Sequence, residues 1–409
     1  MARKRVIYQS ESLFCAATGA YNTGEKSENG SGNAGDPACP GSGIQLHRVQ
    51  SINYGFDIPR QDVNEFGRLA RIDQVILESP TVSLDFTYYA ETGFNERTIG
   101  ITLEAPTKTA LPASNATVSS ISGILNGKTD IKSYFIRTVT EGKDEQNAYS
   151  EGNEDQASII AIGNASITSY TFEAAVGSFP TVSVSAEGLN MTVLAKPKKA
   201  DGSGTGTALT AATVNQETGA NLDQAFVLED SVSAMTGGTD LNGNTLTSTL
   251  PSALRPGDIQ FTFKIADGDG DLLRGWDVDQ LKIQSVSVSV DLGREDLLKL
   301  GSKFAFSKEV VYPVTASMTI EASCSDMKSF DVADLVSDDS NTYTAGFFIK
   351  NPSNSAKQAI GYRLVGAKLD SEALSSSIGD NKTVTFNFTA QVGGPADNTA
   401  GLFIQRGET

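Results

Sequence analysis

VQSINYGFDIPRQDVNEFG, residues Val49–Gly67, returns 234 positions later as IQSVSVSVDLGREDLLKLG, residues Ile283–Gly301. The match runs without a gap from Val49–Ala90 onto Ile283–Cys324. Eight of its 42 columns are identical: Gln50/Gln284, Ser51/Ser285, Asp57/Asp291, Arg60/Arg294, Asp62/Asp296, Gly67/Gly301, Thr81/Thr315 and Ser83/Ser317. The apolar alternation keeps phase as well. Ile52, Tyr54, Phe56 and Ile58 fall on Val286, Val288, Val290 and Leu292, while Val82, Leu84 and Phe86 fall on Ala316, Met318 and Ile320. Alternation of period two marks strands with one buried face, and a one-residue slip would turn every side chain to the other side. Two whole β domains are implied, since solenoid units repeat every 20–50 residues or so.

Flanking segments extend the duplication. SYFIR (Ser133–Arg137) resembles GFFIK (Gly346–Lys350), and VGSFPTVSVSAEG (Val176–Gly188) resembles IGDNKTVTFNFTA (Ile378–Ala390). Residues 6–14 read as a first strand, 46–58 as a long second one and 81–90 as a third; alternation resumes at Ile259, Phe261, Phe263 and Ile265. The excursions Pro59–Ser79 and Gly293–Pro313 exceed a normal hairpin loop. Each is expected to hold a short helical turn, because Asp62 and Asp296 open stretches with apolar residues at Val63/Phe66 and Leu297/Leu300. The expected organisation is mainly β, with two tandem β-sandwich or small-barrel domains. Residues 1–192 form the first, including a Gly-rich loop over 16–43; 193–255 form a linker or insertion; 256–409 form the second.

Composition limits the function. The chain has 409 residues, a formal charge of −17, and 32 Lys and Arg against 49 Asp and Glu. Proteins that grip nucleic acid bring clustered cations to its phosphates, so this balance argues against a nucleic-acid binder. No stretch approaches the ~20 apolar residues of a membrane span. The opening MARKRVIYQSESLFC is basic without the apolar run of a secretory signal, so assembly in a reducing cytosol is expected. Cys15, Cys39 and Cys324 are too few for a disulfide framework, although a Cys15–Cys39 pair across the Gly-rich loop stays open.

Motifs that carry chemistry fail on inspection. An EF-hand starting in DGDGD (Asp267–Asp271) needs Gly at its sixth position and Glu at its twelfth. Leu272 and Val278 stand there, and a tight turn explains the run equally well. GILNGKT (Gly123–Thr129) is one residue short of a phosphate loop. His47 is the single histidine, which removes Ser-His-Asp and Cys-His machinery and any His-rich metal site, and it reads as a strand-end residue. Acidic pairs for glycoside hydrolysis arise by chance among so many carboxylates, while Trp276 alone provides no aromatic platform. The N-x-S/T triplets at Asn115, Asn164, Asn190, Asn381 and Asn387 are what an Asn-, Ser- and Thr-rich chain produces by accident. No catalytic residue, cofactor or metal ligand is assigned.

Three segments carry a resemblance: RVQSINYGFDIPRQDVNEFG, then PTVSLDFTYYA, and the C-terminal LVGAKLDSEALSSSIGDNKTVTFNFTAQVGG. Their style is similar to the tail tube (major tail) protein of long-tailed bacteriophages, over about two-thirds of the chain. That resemblance implies β-sandwich domains, each with a short flanking helix, six of which form a ring whose inner strands close into a β-barrel. A chain with two such domains would complete the ring as a trimer, a pseudo-hexamer. Stacked rings would make the virion tail conduit for genome ejection, assembled in the host cytoplasm. The implied partners are further copies of the chain, the tape measure, the tail terminator and the initiator complex, with DNA passing through unbound and no membrane involved. Candidate lumen acids are Asp57, Asp85, Asp291 and Glu321. Arg60 with Asp62, and Arg294 with Asp296, keep both charges in diverged copies, either to bridge to the neighbouring domain or to fix the excursion. Competing readings are a repeated β-module adhesin or carbohydrate-binding surface protein, and a carboxylate-based hydrolase. Concentration-dependent polymerisation separates the first reading from both.

Overall fold

The structure is a computed structural model. It describes residues 11–17, 42–77, 79–104, 119–121, 124, 131–139, 158–195, 210, 213–214, 227–229, 254, 257, 259–265, 272–273, 276–277, 282–298, 300, 305, 307–323, 342–351, 354–376, 381–393 and 400–407. In chain order the first half contains β1 (Glu11–Ala17), β2 (Ser42–Gln45), β3 (Val49–Asp57), β4 (Arg60–Val63), β5 (Asp73–Ile76), β6 (Thr81–Tyr89), helix α1 (Phe94–Thr98), β7 (Leu103–Glu104), β8 (Lys132–Thr138), β9 (Ser158–Ala175), β10 (Thr181–Gly188) and β11 (Asn190–Ala195). After β12 (Val227–Glu229) and β13 (Ile259–Ile265) come the short β14 (Leu272–Leu273) and β15 (Trp276–Asp277). Then follow β16 (Lys282–Asp291), β17 (Arg294–Leu297), β18 (Ser307–Val310), β19 (Val314–Ser323), β20 (Tyr343–Asn351), β21 (Asn354–Ser375), β22 (Thr383–Val392) and β23 (Gly401–Gln405). The fold is mainly β.

One antiparallel sheet of eight strands runs through both halves in the order β3, β6, β10, β9, β16, β19, β22, β21. Alternation is clearest in β6 and β22: Val82, Leu84, Phe86 and Tyr88 are buried along β6, as are Val384, Phe386, Phe388 and Ala390 along β22. Two smaller sheets cover that apolar face. The first runs β12, β2, β1, β8, β9, β11 and the second β13, β20, β21, β23, β7. A single apolar core joins residues of both halves, from Leu13 to Ile404. Burial of this continuous layer is the main favourable term holding the halves together.

Two long strands belong to both layers. β9 leaves β8 and joins β10 near Asn164 (φ 49°), and β21 leaves β20 and joins β22 near Gly366 (φ 68°). Left-handed backbone is cheapest for Gly and tolerable for Asn, so each residue type fits the kink its strand needs. These two positions are 202 apart, the same spacing that relates Val182 to Val384 in β10 and β22.

The duplication holds at the level of pairing. Tyr54 faces Leu84 and Val288 faces Met318; both pairs of strands carry a bulge at the same place, between Val49 and Ser51 and between Ile283 and Ser285. Three sequence expectations need correction. The excursions are β-hairpins, β4–β5 and β17–β18, and contain no helical turn among their described residues. Asp62 and Asp296 therefore sit mid-strand, because cross-strand pairing outweighs the local capping signal. The long strand expected over 46–58 begins only at Val49, as β3, because a turn in which Arg48 has φ 51° separates it from β2. His47 lies in that turn and is buried rather than exposed at a strand end. The helix described in full is α1, and helical residues are also described at Ile124, Thr213 and Val214; the stretch at the repeat position of α1 after β19, the DGDGD turn and GILNGKT apart from Ile124 lie outside the described residues, as do residues 6–10 of the expected first strand. Part of the 193–255 region is built into the fold: β12 pairs with β2, and Val214 is buried against Phe14, Phe135 and Ile159.

Candidate assembly surface

The exposed face of the eight-stranded sheet follows from the other half of the alternation. It presents Ser51, Asn53 and Asp57 on β3, Ser83, Asp85 and Thr87 on β6, Ser183, Ser185 and Glu187 on β10, and Ser169, Thr171 and Glu173 on β9. The second half continues it with Ser287, Ser289 and Asp291, then Ser317, Thr319 and Glu321, then Thr385 and Asn387. Cross-strand hydroxyls bind one another, Ser51 to Thr87 at 2.7 Å and Ser289 to Ser317 at 2.7 Å. All four acids singled out from the sequence, Asp57, Asp85, Asp291 and Glu321, lie on this one face. Ser285 donates to Glu321 at 3.2 Å. Lysines enter the paired rows only at the ends of those rows, at Lys282 and Lys368. The face is a carpet of small hydroxyl side chains on which carboxylates outnumber lysines in the paired rows.

Between the halves the sheet is sealed by the β9–β16 ladder, with Phe172 opposite Val288 and Tyr170 opposite Val290. Leu292 N–H donates to the Thr168 carbonyl at 2.7 Å and Val176 N–H to the Gln284 carbonyl at 2.9 Å, extending the ladder at both ends. Arg294 reaches across this joint and donates from Nε (3.1 Å) and a terminal nitrogen (3.0 Å) to the Ile167 carbonyl. Lys308 bridges Asp296 (3.2 Å) in its own hairpin and Glu187 (3.0 Å) in the first half, with its side chain almost fully buried. Ser79 Oγ accepts from Ala305 N–H at 3.3 Å. The second hairpin thus leans on the first half.

Among the described residues the first hairpin has no such support. Arg60 has no side-chain partner among the described residues, and Asp62 pairs with Arg71 at 3.0 Å within the hairpin. Its tip raises Phe66 and Leu69 fully into solvent, at 107% and 110% of reference exposure, with Val63, Ile72, Val75 and Leu77 also exposed. The outer strands of the eight-stranded sheet, β3 and the second part of β21, each pair on one side only among the described residues. Exposed side chains mark both edges: Tyr54 (39%) and Phe56 (61%) on β3, Leu374 (46%) on β21.

Behind the sheet a buried polar cluster ties α1 to both halves. His47 Nδ1 meets Glu91 at 2.8 Å, Arg48 Nε meets Glu91 at 2.9 Å, and the imidazole stacks on Phe94 with centroids 4.1 Å apart. Asn95 accepts from His47 N–H and donates to its carbonyl, at 2.8 and 2.9 Å. Tyr88 and Tyr170 hydroxyls donate to Glu96 at 3.0 and 3.4 Å, and Tyr170 shares a 2.8 Å hydrogen bond with Tyr362 of the second half. Burial pushes the Glu96 carboxyl up to about 7; the backbone and tyrosine hydrogen bonds oppose this, and the nearby Glu91 adds to it. Burial also pushes the three tyrosines well above their ordinary value. Arg363 and Glu104 form a second inter-half bridge at 2.9 Å. Cys15 is a buried free thiol raised to about 11 by desolvation. None of these partnerships has a local sequence signal, since Tyr170 and Tyr362 lie 192 residues apart.

Among the described residues there is no group of three or more His, Cys, Asp or Glu placed to hold a metal, and no helix long and apolar enough to cross a membrane. No protein-family model and no curated protein matches the chain. Among solved structures, it is similar to a chain of the anti-feeding prophage (AFP) baseplate, determined by cryo-EM and 6-fold symmetrised. That match has 10% identity and a TM-score of 0.26, over 39% of this chain and 98% of that one. It is also similar to a chain of the virion of a native gene transfer agent (GTA) particle, at 13% identity and a TM-score of 0.20 over 34% and 99% respectively. Likeness at this level leaves function to be argued from the geometry.

Proposed function

We propose that this chain is a structural virion protein of the tail-tube kind, without catalysis, whose copies close into trimeric, pseudo-hexameric rings that stack into a conduit for the genome. The observation that carries the reading is the eight-stranded sheet itself. Two copies of one domain are fused edge to edge, one face is sealed by core, the other is polar and acidic throughout, and both outer edges are unpaired among the described residues. A long unpaired edge is an aggregation hazard unless it has a designated partner, and closure removes it altogether.

Three chains with eight strands each supply 24. With strands about 4.8 Å apart and tilted by roughly 40°, such a wall measures about 150 Å around and about 48 Å across between backbones, wider than a nucleic-acid duplex. The hydroxyl-and-carboxylate face then lines the bore. Duplex passing it keeps its counterions, whereas clustered Lys and Arg would release them and hold it. The protruding apolar hairpin β4–β5 makes the ring-to-ring contact; exposed apolar area of this kind marks an interaction site. The tape measure, terminator and initiator complex are the other partners this role requires.

Negative-stain electron microscopy of the purified protein at high concentration tests the reading. Stacked rings with three-fold symmetry and six similar lobes are expected. Single particles only, even with an initiator present, would overturn it.

A further inference from the structure

The chain already contains one example of the contact its free edges need. β16 is the repeat of β3, displaced by 234 residues, with the same cross-strand register and the same bulge. The sheet-forming part of β9 is the repeat of that of β21, displaced by 202 residues. Phe172 lies opposite Val182 as Leu374 lies opposite Val384, and the residues left out of register, Thr168 and Asp370, are the same distance apart. β9 and β16 pair with each other. Their equivalents, the second part of β21 and β3, each pair on one side only among the described residues.

We propose that β21 of one copy pairs antiparallel with β3 of a second copy in the register that sets Tyr54 opposite Leu374 and brings Arg60 onto the Leu369 carbonyl. The inference rests on the ring-forming reading above and supplies the surface on which it operates. Carrying the internal pairs over by the two displacements gives Asp57 opposite Ser371, Phe56 opposite Glu372, Gly55 opposite Ala373 and Asn53 opposite Ser375. Val288 and Phe172, the internal counterparts of Tyr54 and Leu374, are fully buried, so pairing in this register covers two exposed apolar side chains, one from each facing edge. Arg60 stands where Arg294 stands, and Leu369 where Ile167 stands, so the guanidinium, which has no side-chain partner among the described residues, acquires the carbonyl acceptor seen inside the chain. The first hairpin then leans on the neighbouring copy as the second leans on its own first half.

Two features differ between the joints. Glu372 replaces Tyr170 on the apolar side, an inward-pointing charge of the sort that keeps a free edge from pairing with wrong strands. Gln74 and Thr389 replace Lys308 and Glu187, so the inter-copy joint lacks the buried ion pair of the internal one.

Disulfide trapping reads the register directly. Asn53 and Ser375 correspond to the internal pair Ser287–Glu173, which alternates with the hydrogen-bonded pairs at Leu292–Thr168 and Gln284–Val176. Such non-hydrogen-bonded positions have Cα atoms about 4.5 Å apart, within disulfide range. In a background with Cys39 and Cys324 changed to Ser, Asn53→Cys with Ser375→Cys is expected to give covalent dimers and trimers on non-reducing gels of oxidised assemblies, with a ladder stopping at three. Asn53→Cys with Ala373→Cys, displaced by two residues, should give none. Assemblies that cross-link through the displaced pair, or through neither, overturn the register while leaving ring formation intact. Absence of any assembly in the same background without the paired cysteines instead removes the ring-forming reading, and this proposal with it.

Discussion

Glu96→Gln should abolish a pH dependence of stability that burial imposes on this fold. Glu96 is almost inaccessible, and its acceptors for Tyr88 and Tyr170 lie at the seam where Tyr170 meets Tyr362 of the second half. Its carboxyl titrates near 7 in the folded chain against 4.5 for an unperturbed glutamate, so the folded state keeps a proton that the unfolded state has already released. Stability from this group is therefore fully present below about pH 4.5 and declines as pH rises toward 7. It stays low above that, where the hydrogen bonds to the buried carboxylate only partly offset its loss of solvation. At about 1.4 kcal/mol per pH unit, the gap between the two values corresponds to about 3 kcal/mol lost between pH 4.5 and 8. Glutamine keeps the carbonyl acceptor for the two hydroxyls and never ionises. Urea unfolding of unassembled protein at a series of pH values gives the free energy of each form, and the difference between wild type and Glu96→Gln isolates this group from the other carboxylates. The wild type should lose about 3 kcal/mol relative to the variant on going from pH 4.5 to 8. A difference that is flat across that range would refute the argument from burial.

The repeat-related arginines should behave differently. Arg294→Ala removes two charge-assisted bonds to the Ile167 carbonyl and should cost the single chain about 1.5–3 kcal/mol, read by urea unfolding; Arg60→Glu should leave that value within about 0.5 kcal/mol yet block polymerisation, read by sedimentation. Phe66→Ser combined with Leu69→Ser touches two solvated side chains, so thermal unfolding should hardly move while stacked tubes give way to single rings in micrographs. Asp85→Lys with Asp291→Lys places cations on the polar face; tubes of this variant should retain duplex DNA at low salt and release it as salt rises, whereas wild-type tubes retain none.

How much of this was legible beforehand depended on whether the signal was local. Alternation around Tyr54 and Val288 gave strand identity, phase and the duplication, because a strand reports its buried face every second residue. The same signal placed Asp57, Asp85, Asp291 and Glu321 opposite the apolar row. It misread the excursions: Asp62 followed by Val63 and Phe66 fits a helix start as well as a strand, and pairing with Gln74, later in the hairpin, is invisible to a local window. His47 looked like an exposed strand end because nothing nearby announces Glu91, 44 residues away, as its partner.

The sequence by itself determined that this is a duplicated, acidic, mainly β chain with polar and apolar faces in register in both copies, since period and composition are properties of the chain alone. Only the tertiary structure decided that the two copies share one sheet through β9 and β16, and that Arg294 and Lys308 close that seam. It also decided that β3 and β21 are the edges left over. Those facts depend on contacts between residues more than a hundred positions apart, where the free energy of burial and hydrogen bonding, rather than any local preference, selects the partner.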